Sequence, residues 1–195
     1  MSTPLLDRTA ETSVPVHEVL AARWSPRAYE AATPIDEDKL TAALEAARWS
    51  PSAYNAQPWR FVIARRGSAL HTDIVESLIG FNQTWATSAG ALIVAVAETV
   101  DDQGRVITHA AYDVGQAVAH LTVQAHHDGL FVHQMSGFDV AAVAARIALE
   151  ERFTPLTVLA IGDLGDPSTL SDQLRERETA PRTRRALTET VIAST

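Results

Sequence analysis

The chain has 195 residues, enough to bury one core, and 46% hydrophobic with 21% charged residues is the balance of a globular protein. No apolar run approaches the roughly 18 residues of a membrane-spanning helix, and a net charge of −8 argues against a general nucleic-acid binder, which needs a broad basic surface. With no cysteine there are no disulfides, thiolate metal sites or cysteine nucleophiles, so redox work here would need a cofactor.

The opening stretch MSTPLLDRTAETSVP lacks a basic segment followed by an apolar run and a small-residue cleavage site, which predicts a cytoplasmic protein. A short helical pattern runs from Val14 to Arg23 and stops at Trp24-Ser25-Pro26, because proline disfavours helix in the residue before it. The next helix follows Asp36 as N-cap, with Ile35 and Leu40 spaced as a hydrophobic staple and Leu40, Ala43, Leu44 and Ala47 on one face. It ends before Pro51.

Trp59 to Ala64 reads as a strand and Ser68 to Ile79 as a helix. GALIVAVA, from Gly90 to Ala97, is a continuous apolar run suited to a central strand covered on both faces. A long helix is expected from Thr108 to Asp128, with Val114, Ala117, Val118, Leu121 and Ala125 on its apolar stripe and Gly129 as its stop. Leu130 to His133 then forms a strand, QMSG a turn, and Asp139 caps a helix with Phe138 and Val143 at staple spacing. Leu156 to Ile161 is the last core strand. Beyond Gly162 the sequence is polar until ALTETVI, residues 186 to 192, an apolar piece with no evident partner within the chain. Helices and strands without regular alternation suit α+β, and the absence of repeats or linkers makes residues 1–195 one domain.

Basic residues cluster as Arg23 and Arg27 near the start and as Arg182, Arg184 and Arg185 near the end. Arginine offers a fixed planar fork of donors suited to phosphate. The loop PSAYNAQPW, residues 51 to 59, sets polar side chains between a helix and a strand, where ligand contacts concentrate. On turn chemistry alone, the favoured reading is a surface turn in which Ser52 and Asn55 satisfy local backbone groups. No metal site is expected: His126 and His127 are adjacent and point about 100° apart on a helix, and neither they nor His120 and His133 form a His-Glu-x-x-His pattern. The chain has no G-x-G-x-x-G or phosphate-loop motif, and Lys39, its one lysine, falls within a helix.

Arg23-Trp24-Ser25-Pro26-Arg27 followed by PSAYNAQPW resembles the paired N-terminal signatures of the nitroreductase-like FMN-dependent oxidoreductase family. The resemblance continues through FNQTW at 81 to 85, the helix DVGQAVAHLTVQAHHDGL, QMSGFD at 134 to 139, the strand ending at Gly162 and the arginine-bearing tail. It departs at Asp163-Leu164-Gly165, where many relatives have an aromatic and a proline.

The resemblance implies a three-layer sandwich, a central mainly antiparallel sheet flanked by helices, in a homodimer with FMN at the interface and the C-terminal segment exchanged. It places Arg23, Ser25 and Arg27, with Trp24 in the same motif, at the ribityl chain and phosphate, joined by Arg184 or Arg185. A phosphate of nearly two charges on so acidic a protein requires converging arginines. Pro51, Ser52 and Asn55 would lie against the isoalloxazine from the other subunit, with Gln57 close behind and Asn82 at the ring edge. The backbone of Gln134, Met135 and Gly137 would sit near the flavin, with Met135 equally readable as a core side chain.

FMN would carry the chemistry with no catalytic side chain, NADPH or NADH being the donor and a nitroaromatic, quinone or similar electron-poor small molecule the acceptor. Dehalogenation, enone reduction or oxidation on the same fold, and a flavin-binding module with little turnover, are the alternatives.

Overall fold

The computed structural model describes residues 6–193. The reading of the chain's first five residues as free of a leader segment lies outside them. Four strands, β1 (Trp59–Arg65), β2 (Ala91–Glu98), β3 (Phe131–Met135) and β4 (Phe153–Gly162), form one sheet in the order β1-β2-β4-β3. Every neighbouring pair is antiparallel.

The apolar run of β2 is central because all eight of its residues are buried. Side chains alternate across a strand, so Ile93, Ala95 and Ala97 join one cluster and Leu92, Val94 and Val96 another. The first is covered by α2 (Glu37–Arg48) and α5 (Ala110–His127), through Leu40, Ala43, Ala47, Val114, Ala117 and Leu121. The second is covered by α3 (Ala69–Ser77), α4 (Asn82–Ala86) and α6 (Val140–Arg146), through Ile74, Trp85 and Val143. Helix, sheet, helix is the three-layer α+β sandwich, and no helix among the described residues is long and apolar enough to cross a membrane.

Caps read from the sequence hold. The Asp36 carboxylate accepts from the N–H groups of Asp38 and Lys39, and that of Asp139 from Ala142. Four boundaries differ from expectation. The first helix, α1, spans only Glu18–Ala22, with the His17 side chain accepting from Val19 N–H; Pro15 holds Val14 out of helix. β3 continues through Gln134 and Met135, which read as turn, because both pair with β4. β4 starts at Phe153 rather than Leu156, paired with Glu98. The tail contains a helix, α7 (Asp172–Thr179), and a single turn, α8 (Leu187–Thr190).

Candidate functional site

A cleft of about 200 Å³ is lined by Arg8, Arg23, Trp24, Ser25, Arg27, Arg177, Arg182 and Arg184. Six guanidinium groups from four stretches of an acidic chain meet there. Arg23 Nη2 donates to Ser25 Oγ at 3.1 Å, while its Nε–H is buried without a partner among the described residues. Burial, and then the charges of Arg182 and Arg184, lower the pKa of Arg23; burial, Arg184 and Arg8 do the same to Arg182. Such crowding costs free energy that an anion would recover.

The arginines are held differently. Arg182 donates to the carbonyl oxygens of Ala21, at 2.8 Å, and of Arg8, so it ties the start of the chain to α1. Arg184 is exposed and bonded only locally, to the Thr183 carbonyl. Arg185 lies outside the cleft, in a neighbouring groove of about 660 Å³ between residues 10–20 and the tail. The Trp24 indole is buried, edge-on to Phe131 and beneath Arg8, so it supports the cleft from below.

The segment carrying Arg27 is fixed from three sides. The Glu178 carboxylate, fully buried, accepts from the N–H groups of Arg27 at 2.8 Å and Ala28 at 3.1 Å. His133 donates from Nδ1 to the Pro26 carbonyl at 2.8 Å. Residues 28–30 pair with 163–165, and the divergent Gly165 is required there, since a Cβ would fall 2.5 Å from the Tyr29 backbone.

From the cleft β3 leads towards Gln134 and Gly137. Gln134 is exposed, its amide donating to Thr122 Oγ1 at 3.2 Å, whereas the Met135 side chain is in the core and offers only its backbone. The Gly137 carbonyl accepts from Ile79 N–H at 2.9 Å and Asn82 Nδ2 at 3.2 Å. A Cβ on Gly137 would lie 2.9 Å from that same amide, so a larger residue there would displace the Asn82 side chain. Asn82 thus holds the turn backbone, and Phe81 beside it lies under the Arg177 guanidinium.

The loop after α2 is elsewhere. Pro51, Asn55 and Gln57 are exposed; Ser52 Oγ accepts from Gln57 N–H at 3.0 Å, and the Gln57 amide folds back on the Asn55 carbonyl. Tyr54, Asn55 and Gln57 all have positive φ, a conformation costly for these residues and one that clusters at ligand sites. The loop is anchored by buried Asp113, which accepts from Ala53 N–H at 3.0 Å, and by a 2.8 Å contact between Ser50 Oγ and His120 Nδ1.

Asp113 is near the start of α5, whereas His126, which feels the charges of Arg23 and Arg182, is near its end. At 1.5 Å per residue these points are roughly 20 Å apart. Within one chain the fold therefore brings together Arg23, Trp24, Ser25, Arg27 and Arg184, and places Gln134, Met135, Gly137 and Asn82 further along β3. It does not bring Pro51, Ser52, Asn55 and Gln57 to that cleft.

Sequence reasoning missed Arg8, Arg177 and Glu178. The last two sit on α7, whose buried residues, Leu174 and Glu178, are spaced i, i+4. That spacing is a helical signal, but one of the pair is charged and the pattern reads as solvated tail.

The nitroreductase family model matches residues 20–84, which include the Arg23–Arg27 motif, α2 and the 51–57 loop. A solved structure described as an oxidoreductase containing FMN is 33% identical, with TM-score 0.88 over 100% of this chain and 96% of that one. An uncharacterised 15.4 kDa protein of Mycolicibacterium smegmatis, from the ask 5' region, is 36% identical over 135 residues, 66% of this chain and 90% of its own. YdgI of Bacillus subtilis, provisionally named an NAD(P)H nitroreductase, is 27% identical over 194 residues, spanning 80% of this chain and 92% of that one. The chain belongs to the nitroreductase family and has the fold of a flavin oxidoreductase.

Proposed function

We propose that the chain is an FMN-dependent NAD(P)H oxidoreductase, working as a homodimer on nitroaromatic, quinone or similar electron-poor acceptors. The observation that carries this is the arginine cleft, a cationic concavity on an acidic protein, with an Arg23 Nε–H that has no partner among the described residues. A phosphomonoester fits it: Arg23, Arg27 and Arg184 supply charge-assisted donors and Ser25 a hydroxyl. The FMN of the similar solved structure supports the choice of ligand.

Bound FMN would supply two-electron chemistry, taking hydride from NAD(P)H and passing the electrons to an acceptor that enters the same space once the nicotinamide has left. The chain's own residues bind and orient. The arginines would hold the phosphate, and Gln134 and the Gly137 backbone, which Asn82 and Ile79 fix through its carbonyl, would hold the ring. No side chain is needed as acid or base.

The distance between cleft and loop supports the dimer. Pro51, Ser52 and Asn55 belong to a loop that takes positive φ at Tyr54, Asn55 and Gln57 and lies remote from its own chain's cleft, so a second copy would supply them to it. The tail's Leu187, Val191 and Ile192 are exposed. We assign them to packing on the partner, which is the C-terminal exchange.

Steady-state rates with FMN-loaded protein test this reading. Varying NAD(P)H at several fixed quinone or nitroaromatic concentrations should give parallel double-reciprocal lines, the pattern of alternating occupancy, from a species that sediments as a dimer. Intersecting lines would contradict the shared pocket, and a fully active monomer the shared site.

A further inference from the structure

We propose that Glu178 is a positioning residue that sets Arg27 for the anionic ligand, a role that rests on the phosphate-binding reading of the cleft. Its carboxylate is fully enclosed, and its partners belong to one short segment: the N–H groups of Arg27 and Ala28 and the guanidinium of Arg27, whose Nη1 lies 3.5 Å from Oε2. Enclosing a carboxylate is expensive unless its lone pairs are satisfied by charge and hydrogen bonds, and this set satisfies them.

The contact bridges distant parts of the chain. α7 is polar apart from Leu174, so Glu178 is one of only two buried residues of that helix. The same helix carries Arg177 into the cleft and leads on to Arg182 and Arg184. Of the five donors of a guanidinium, the long Nη1 contact occupies one, which leaves the remainder of Arg27 for a ligand. Glu178 therefore fixes the backbone beneath Arg27, aims its side chain and docks the helix that brings further arginines.

A carboxylate in this position has two effects on anion binding, and they differ in sign. As a negative charge near the cleft it opposes a phosphate, so removing the charge alone would tighten binding. As an aiming group it favours the phosphate, so losing it weakens binding. Glu178→Gln separates the two. The amide oxygen still serves the two N–H groups, while the amide NH2 faces the Arg27 guanidinium donor to donor and displaces it.

Titrate wild type, Glu178→Gln, Arg27→Ala and the double variant with FMN and with riboflavin, which lacks the phosphate. The proposal predicts that Glu178→Gln binds FMN about tenfold more weakly, a loss comparable to one charge-assisted contact, with riboflavin affinity unchanged. In the Arg27→Ala background it should cause no further loss. Unchanged or tighter FMN binding, an equal loss for both flavins, or an undiminished effect without Arg27 would each overturn the proposal. A wild-type chain that binds neither flavin would instead overturn the flavin reading on which it rests.

Discussion

The His133 ring donates from Nδ1 to the Pro26 carbonyl at 2.8 Å and lies 4.6 Å, centroid to centroid, from the Trp85 indole. A carbonyl only accepts, so this contact fixes the proton on Nδ1 in the neutral ring. Burial, reinforced by the charges of Arg27 and Arg23, lowers the imidazole from its usual 6.5 to about 4 against the opposing pull of the Pro26 and Ser25 carbonyls. A depressed pKa means that protons favour the unfolded chain. The stability this residue contributes is fully present above pH 6.5 and is lost as the pH falls from there towards about 4. His71 and His126 are also lowered and add to the loss in the same direction. His133→Asn keeps a donor for Pro26 but does not titrate, so denaturation curves of the variant should fall less steeply over that window than those of the wild type.

Arg184 and Arg185 are neighbours in sequence with different surroundings, Arg184 lining both the cleft and the outer groove and Arg185 only the groove. FMN titrations should show Arg184→Ala weakened about tenfold, as for loss of one charged contact, and Arg185→Ala nearly unaffected. The reverse order would move the phosphate out of the cleft and into the groove.

Ala148, with φ +49°, ends α6 in a left-handed turn. Ala148 N–H donates to the Ala145 carbonyl and Leu149 N–H to that of Ala144, the paired bonds of a glycine-favouring helix end. Ala148→Gly should therefore stabilise the fold by about 0.5–1 kcal/mol once the looser unfolded chain is discounted. Thermal melts should rise by about 1–4 °C for a chain of this length. A fall in melting temperature would show that the strain is relieved by other means.

Much of the scaffold was legible because local signals agreed with burial. β2 is apolar on both faces and ends up central, and Asp36 and Asp139 cap the helices they precede. Where tertiary pairing outweighed local character, the sequence pointed elsewhere. Gln134 looks like a turn residue and is a strand residue because β4 pairs with it, and α7 is hidden because Glu178 takes an inward position that an apolar residue would ordinarily mark. The arginine motif was recognisable residue by residue. The separation of Arg27 from Ser52 was implied only by the family resemblance, which assigns the loop to the other subunit; no local signal carries it, because it depends on how α2 and the loop lie along α5.

The most direct test of the flavin reductase account is the visible spectrum of the FMN-reconstituted protein under anaerobic conditions, before and after NADH or NADPH is added. The account predicts a bound oxidised flavin that bleaches on addition of the nucleotide and recovers its colour with a quinone or nitroaromatic. A protein that takes up no FMN, or whose bound flavin stays oxidised with both nucleotides, would contradict it.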